Sequence, residues 1–307
     1  MARISRFALI GLALLASPAA GQDMTLAELK DRITEARAEI ESLEVEFDFN
    51  AVGEAPANSV TREHWTIALE GHSLRLDGAR TSTTDGVERT VQERTSWNGQ
   101  TAWHVREFRA NKTAQRSSDP SKVLPDAMQG NPYFEFMRWY PLPRLGAELH
   151  SSDLLALVDV PGAMMRPERE AIDGHDCIVI DLSSTNKVQS IWIDPDRGYL
   201  PVRHRVTLQG EAVPLVENSI TDAIQVTAQA WLPVEARRQV SSKLFNAEEL
   251  GGNETPRLFI TMMKVGRTED DEPILRVNEE IAPEKFDLEP TLPPGTIVHD
   301  MDTDEAP

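Results

Sequence analysis

The sequence has a single cysteine, Cys177, among its 307 residues. One cysteine excludes an intramolecular disulfide, so a packed core has to stabilise the fold. Cys177 opens the apolar run Cys177-Ile178-Val179-Ile180, which is typical of a strand. We expect a buried and unreactive thiol there, with an intermolecular bridge as the alternative.

Basic residues are also scarce: 31 Lys and Arg stand against 50 Asp and Glu, which gives a net charge of −19. Such a surface repels nucleic acid and anionic lipid headgroups. The charge therefore excludes nucleic acid as a partner. It favours a soluble, freely diffusing protein, which we expect to be a monomer.

Long apolar runs are missing after residue 21, and the one at the start is short. Two arginines precede an apolar stretch over Phe7–Ala16, and Ala19 and Gly21 have the small side chains of a cleavage site. The stretch is shorter than the ~20 residues that span a bilayer. The sequence predicts a signal peptide over residues 1–21, cleaved after Gly21, and a periplasmic protein.

Internal repeats and low-complexity linkers are absent as well, which favours one domain over residues 22–300. Residues 110–160 stand out because they combine a polar stretch, several prolines and the aromatic run Pro132–Pro143. So many prolines do not suit a central strand. We therefore predict a loop-and-helix insertion that serves as a lid, followed much later by an acidic disordered tail over residues 301–307.

Motifs of enzymes and metal sites are lacking. The sequence has no Gly-x-Ser-x-Gly elbow, no His-Glu-x-x-His helix and no Cys/His ligand pairing. His64, His104 and His204 fall on strand positions, where an exposed or hydrogen-bonded sheet histidine is expected rather than a metal ligand or a base. Asp194-Pro195-Asp196-Arg197-Gly198 indicates a turn rather than a calcium loop, which needs more oxygen ligands. No catalytic residue, metal or cofactor is predicted.

The chain that follows the predicted signal peptide begins with a predicted helix. Thr25 and Glu28 form a predicted capping box at its start. Apolar residues then recur at helical spacing on one face, at Leu26, Leu29, Ile33, Ala36 and Ile40. This pattern predicts an amphipathic helix with one buried stripe.

Strands follow, recognised by apolar residues at every second position. Asn98-Gly99 predicts a hairpin between two of them, because this pair readily adopts positive φ. Later strands are predicted at Cys177–Leu182, Gln189–Asp194, Tyr199–Leu208, Ile224–Pro233, Val234–Ser241 and Arg257–Gly266. One apolar and one charged side per strand indicate an antiparallel sheet with one wet face.

The apolar strand faces have to be covered, and the N-terminal helix and the 131–158 region are the candidates. We expect a mainly β (α+β) fold, in which a curved antiparallel sheet receives these helices on its concave side. The apolar face is either an ordinary dry core or a cavity for an apolar ligand. The candidate lining residues are Trp65, Ile67, Leu69, Leu74, Leu76, Trp103, Val105, Ile191 and Ile193 from the sheet, with Phe134, Phe136 and Trp139 from the lid.

Three segments resemble the LolA/LolB-like family of outer membrane lipoprotein-sorting proteins. They are the hairpin Trp97–Trp103, the Asp-Pro turn and Leu-Pro-x-Arg restart within Ile191–Arg203, and the tail Pro283–Asp300. The helix that leads directly into the first strand is similar too. The resemblance implies a half-open β-barrel whose concave face is closed by helices. It also implies a non-enzymatic carrier of lipid acyl chains or lipidated protein, served by membrane-protein donors or acceptors.

Two other classes of function stay open from the residues alone. One is a periplasmic protein-binding or sensory module that has the same fold with a filled core. The other is a hydrolase of an envelope polymer, because abundant carboxylates leave room for an acid–base pair. A cavity favours the carrier, a filled core favours the docking module, and a cleft with perturbed carboxylates favours the hydrolase.

Overall fold

The structure is a computed structural model. It describes residues 24–52, 60–84, 86–124, 154–184, 186–244 and 258–303. The predicted signal peptide and the aromatic run Pro132–Pro143 lie outside these residues.

The first helix, α1, spans Leu26–Ala38 and begins as predicted. The Thr25 hydroxyl accepts a hydrogen bond from the Glu28 amide at 3.2 Å, and the Glu28 carboxylate accepts one from the Thr25 amide at 2.7 Å. This capping box satisfies two amides that the helix itself leaves unpaired. The buried stripe of α1 faces a second short helix, α2 (Leu154–Val158), and Lys30 of α1 pairs with Asp159 beyond it.

Sixteen strands are found in the described residues. They are β1 (Ser42–Val52), β2 (Val60–Glu70), β3 (Ser73–Thr84), β4 (Val87–Trp97), β5 (Ala102–Phe108), β6 (Asn111–Ser117), β7 (Ala163–Met165), β8 (Glu170–Ile172), β9 (His175–Ser183), β10 (Lys187–Asp194), β11 (Leu200–Leu208), β12 (Pro214–Gln225), β13 (Trp231–Ser241), β14 (Leu258–Val265), β15 (Leu275–Val277) and β16 (Ile297–Asp300).

The strands form one large, open, curved sheet that does not close into a barrel. Its order is β16-β6-β5-β4-β3-β2-β1-β14-β13-β12-β11-β10-β9-β7, with β15 on β1 and β8 on β9. Neighbours are antiparallel except for β16, which runs parallel to β6. The predicted mainly β fold with an N-terminal helix is confirmed.

Two predicted turns are confirmed. Gly99 has φ +86°, and Asn98 Oδ1 accepts hydrogen bonds from the amides of Gln100 and Thr101 at 3.0 and 2.9 Å, which fixes the β4–β5 hairpin. After β10, the Asp194 carboxylate accepts a hydrogen bond from the Asp196 amide at 2.9 Å, and the chain turns into β11.

Three segments differ from the sequence-based expectation. The predicted insertion from residue 110 starts instead with β6, which pairs with β5 and β16. Its side chains are polar except for Ala114, so it shows no apolar alternation. Residues 301–303, expected in the disordered tail, form a turn in which the Asp302 carboxylate accepts a hydrogen bond from the Ser118 amide at 2.7 Å. The predicted strand Ile224–Pro233 is interrupted between β12 and β13, where the Val226 amide donates to the Ala230 carbonyl.

Buried side chains form three main groups. The interior cluster contains residues of β1 to β3 and of β9 to β14, among them Phe47, Trp65 and Met263. The helix-covered cluster joins Leu29 and Ile33 of α1 to the isoleucines of β9 and β10. The rear cluster consists of Trp103, Val105, Ala114 and Leu288.

Candidate functional site

An apolar face extends across the first three strands of the chain. Phe47 lies opposite Trp65 in the β1–β2 ladder, and Ile67 lies opposite Leu76 in the β2–β3 ladder. Directly opposed residues have their side chains on the same face of a sheet. We call this the inner face, and its members are at most 2% exposed. They are Leu43, Val45, Phe47, Phe49, Trp65, Ile67, Leu69, Leu74 and Leu76.

A glycine shapes the middle of the inner face. Trp65 lies opposite Gly78, and a Cβ atom added at Gly78 would come within 2.1 Å of Trp65 Cε3. The indole ring therefore covers the backbone of β3 at this point. No residue with a side chain allows that arrangement without moving the ring.

A polar layer borders the apolar rows beyond Trp65. The indole Nε1 of Trp65 donates to Glu63 Oε2 at 3.0 Å, and Arg80 Nε donates to Glu63 Oε1 at 2.9 Å. The Glu63 side chain is only 9% exposed, so its charge needs these donors. The inner face is thus apolar over several rows and then becomes charged and hydrogen-bonded.

Two side chains from outside the strands pack next to this face. Val123 and Leu124 are fully buried in the interior cluster, although they lie outside the strands. A cavity of about 10 Å³ lies between β11 and β12, near His204 and Asn218. That volume holds about one water molecule. A wider groove of about 350 Å³ runs along the polar face of α1, where Glu28, Asp31 and Glu35 make it unsuitable for an apolar ligand.

The structure divides the candidate lining residues into separate groups. Trp65, Ile67, Leu69, Leu74 and Leu76 lie together in the interior cluster. Ile191 and Ile193 lie in the helix-covered cluster under α1 and α2. Phe134, Phe136 and Trp139 lie outside the described residues, and their role in a lid stays a prediction.

Trp103 and Val105 lie on the outer face of the sheet. Trp103 is opposite Ser96, Ser96 is opposite Arg75, and Arg75 is opposite Ala68. Because Ala68 is adjacent to Ile67 in β2, its side chain points to the other face. The C-terminal segment covers this outer face, with Leu288 against Trp103.

Sequence reasoning left the β1 residues of the inner face, as well as Val123 and Leu124, out of the candidate site. Leu43, Val45, Phe47 and Phe49 occupy every second position of β1, and this period of two is a sequence signal that would have included them. Val123 and Leu124 follow a polar strand and a proline, and we find no sequence signal that predicts their burial.

Cys177 lies near a histidine and a carboxylate, which raises the question of a thiol hydrolase. His175 Nδ1 is 3.0 Å from Asp194 Oδ2, and the Asp194 side chain is fully buried. Burial, with a smaller effect of the Asp194 charge, raises the pKa of the Cys177 thiol to about 11. The thiol is therefore protonated at neutral pH and is a poor nucleophile. The predicted burial of Cys177 is confirmed.

The strand histidines are hydrogen-bonded, as predicted. His64 Nδ1 lies 2.9 Å from Asp48 Oδ1, and His104 Nδ1 lies 3.0 Å from the Thr95 hydroxyl. His204 lies 3.4 Å from the Asn218 amide nitrogen. Across the part of the chain that the structure describes, no three His, Cys, Asp or Glu side chains are grouped to hold a metal ion.

Within the same residues, neither helix has the length and apolar composition needed to cross a membrane.

No family model and no curated protein matches the chain. Among solved structures, it is similar to a putative outer membrane lipoprotein-sorting protein domain from Vibrio parahaemolyticus. The identity is 13%, the TM-score is 0.41, and the match covers 85% of this chain and 97% of that one. A DUF1329 family protein from Desulfovibrio piger matches at 12% identity and a TM-score of 0.39, over 87% of this chain and 98% of that one.

A third similar structure is MucB in complex with MucA(peri). The identity is 11%, the TM-score is 0.20, and the match covers 83% of this chain and 100% of the other. At these values the matches assign neither a family nor an activity. A lipoprotein-sorting protein domain is nevertheless among the solved structures that resemble this chain, as the sequence resemblance predicts.

Proposed function

We propose that this chain is a non-enzymatic periplasmic protein that binds the acyl chain of a lipid or of a lipidated protein on its inner face. The observation that carries the proposal is the continuous apolar surface over β1, β2 and β3, which ends at the Glu63–Arg80 pair. Such a surface suits a ligand that has an apolar chain and a polar end.

The energetics favour transport of acyl chains through water. Each methylene removed from water contributes about 0.8 kcal/mol. The net charge of −19 opposes adhesion of the protein to anionic membranes, so it can leave a membrane after it has taken up its ligand.

A second candidate is a docking module for a protein partner, with a filled core. It is favoured by the complete burial of Val123 and Leu124 and by the water-sized cavity beside His204. The two candidates differ in one respect that can be measured: a carrier contains or takes up an acyl ligand, whereas a docking module does not.

The test is native mass spectrometry with lipid extraction on the mature protein from the periplasm of an expression host. Ile67→Trp and Val105→Trp form a matched pair, because both residues are aliphatic, lie on strands and are at most 1% exposed. Ile67 lies on the inner face and Val105 on the outer face. We expect near-stoichiometric lipid on the parent and on V105W, and less on folded I67W. A lipid-free parent, or equal retention by both variants, would contradict the proposal.

A further inference from the structure

The chain passes from the sheet into the interior directly after β6, the strand next to the edge strand β16. A single turn over Pro120–Lys122 follows the strand, with the Ser121 amide donating to Asp119 Oδ1 at 2.9 Å. Val123 and Leu124 come next and are fully buried in the interior cluster. Two side chains from outside the strands therefore fill space beside the inner face.

One carboxylate near the C-terminus holds this passage. Asp302 Oδ1 accepts a hydrogen bond from the Ser117 hydroxyl at 2.5 Å, and Oδ2 accepts one from the Ser118 amide at 2.7 Å. Lys122 Nζ lies 3.2 Å from the same carboxylate. Asp302 thus binds both ends of the short stretch that precedes Val123.

The residues next to Asp302 strengthen the connection. Arg116 donates to Asp300 Oδ2 from Nε and Nη2 at 3.1 and 2.8 Å, and the Met301 amide donates to the Arg116 carbonyl at 2.9 Å. The Met301 side chain packs against the interior cluster. We call Asp300, Met301 and Asp302 the C-terminal latch.

We propose that the C-terminal latch controls access to the inner face, and that an acyl chain takes the place of Val123 and Leu124 when the latch opens. The latch itself is argued from its contacts, whereas the identity of the ligand rests on the proposed function. Val123 and Leu124 occupy space beside the inner face, so an acyl chain that binds there has to displace them. Val123 and Leu124 follow β6, so they can leave without breaking the pairing of β5 with β6. The pairing that loosens when the latch opens is that of β16 with β6, because Asp300 lies opposite Arg116 there.

The latch is not opened by mild acid. Hydrogen bonds from Ser117 and Ser118 hold the pKa of the Asp302 carboxyl far below its usual range. Asp302 is the group that would have to be neutralised, and the charges that face it are those of Lys122 and of the Arg116–Asp300 pair. The open latch is instead a minor conformational state that the ligand selects. A variant with a weakened latch populates the open state more, so its apparent affinity for the ligand is higher.

The experiment measures uptake of a dansyl-labelled C11 fatty acid by the mature chain. Asp302→Ala removes the latch carboxylate, and Asp270→Ala is the control, because Asp270 is exposed in the 268–272 loop. We expect D302A to bind the probe roughly tenfold more tightly than the parent, and D270A to bind like the parent. The Val123 amide, which donates to the Pro120 carbonyl, should also exchange its hydrogen faster in D302A.

A second variant tests the closed state. Gln115 and His299 are opposed in the β6–β16 ladder, so Gln115→Cys with His299→Cys can be oxidised to lock the latch. Oxidation should reduce uptake, and reduction should restore it; this result decides the matter if D302A does not fold. Unchanged uptake in both variants overturns the latch and leaves the proposed function standing. If neither the parent nor any of the variants takes up the probe, the proposed function is overturned. The acyl chain is then also wrong as the ligand that displaces Val123 and Leu124.

Discussion

The indole of Trp65 lies over the backbone of Gly78, and this contact defines the centre of the inner face. On the polar side, the same indole donates to Glu63, which also accepts from Arg80. Trp65 therefore joins the apolar rows to the charged layer. Its position depends on the absence of a side chain at residue 78.

We expect Gly78→Ala to destabilise the protein by about 1–3 kcal/mol, because the added methyl group overlaps the indole ring. Chemical denaturation of the mature protein measures this. The control is the same substitution in a Trp65→Leu background, where the ring is absent and the cost should be much smaller. An equal cost in both backgrounds would show that the contact does not restrict residue 78.

Gly198 makes a second close approach, at the turn between β10 and β11. A Cβ atom there would lie 1.7 Å from the Gln229 carbonyl oxygen, and Gly198 has φ +62°. Gly210 is a matched control, since its φ is +85° and no atom lies within 4 Å of its Cβ position.

Both Gly198→Ala and Gly210→Ala strain the backbone, but G198A also forces the β10–β11 turn away from the β12–β13 turn. We expect G210A to cost about 1 kcal/mol, and G198A to cost about 2 kcal/mol more than that. Urea denaturation of the two variants checks the difference. Equal stabilities would contradict the packing of these two turns.

We expect Cys177 to make the stability of the protein depend on pH in the alkaline range. The folded pKa of about 11 lies above the value of ~8.5 for a free thiol. The unfolded chain therefore loses its thiol proton first, and stability falls as the pH rises from about 8.5 towards 11, by about 1.4 kcal/mol per unit. Cys177→Ala should remove this part of the slope. A parallel slope for C177A, or rapid thiol modification of the native protein at pH 8, would contradict the burial.

Arg166 links two acidic residues beside Trp192. It donates to both oxygens of Asp181, at 2.6 and 2.8 Å, and pairs with Glu170. Burial alone raises the pKa of Asp181, but hydrogen bonds from Arg166 and Ser190 outweigh it, and the pKa is lowered. A lowered folded pKa means that the pair stabilises the protein above about pH 4, and that this contribution is lost as the pH falls further.

We expect Arg166→Gln to destabilise the protein by about 1–2 kcal/mol at pH 7, since it leaves a largely buried carboxylate without its main donor. The difference from the parent should shrink as the pH falls below 4. Arg169→Gln is the control: its partner Asp176 is 3.4 Å away and 66% exposed, so the cost should stay below about 0.5 kcal/mol. Thermal denaturation between pH 3 and 7 compares them, and a constant difference over that range would argue against the Asp181 linkage.

The parts of the fold that the sequence predicts are those with local causes. The capping box at Thr25 and the hairpin at Asn98-Gly99 each need only a few neighbouring residues. The alternation in β2 and β3 identifies the inner face, because Ile67 and Leu76 lie close in sequence and pair directly.

The parts that it does not predict depend on distant segments. Trp103 and Val105 are buried on the outer face because Leu288, some 180 residues later in the chain, packs against them. Alternation along a strand shows that one of its faces is apolar. It does not show on which side of the sheet that face lies. The break after β12 depends on Glu39 at the end of α1, whose carboxylate accepts a hydrogen bond from the Gln229 amide at 2.9 Å. No local pattern encodes either contact.

Binding of acyl chains on the inner face, as we propose it, can be located directly. The most direct measurement is photo-cross-linking of a diazirine-labelled fatty acid to the mature parent protein, with the modified peptides identified by mass spectrometry. We expect labels on inner-face residues of β1 to β3 and at Val123 and Leu124, and none on the outer-face residues Trp103 and Val105. Labels confined to the outer face, or no label at saturating probe, would contradict it.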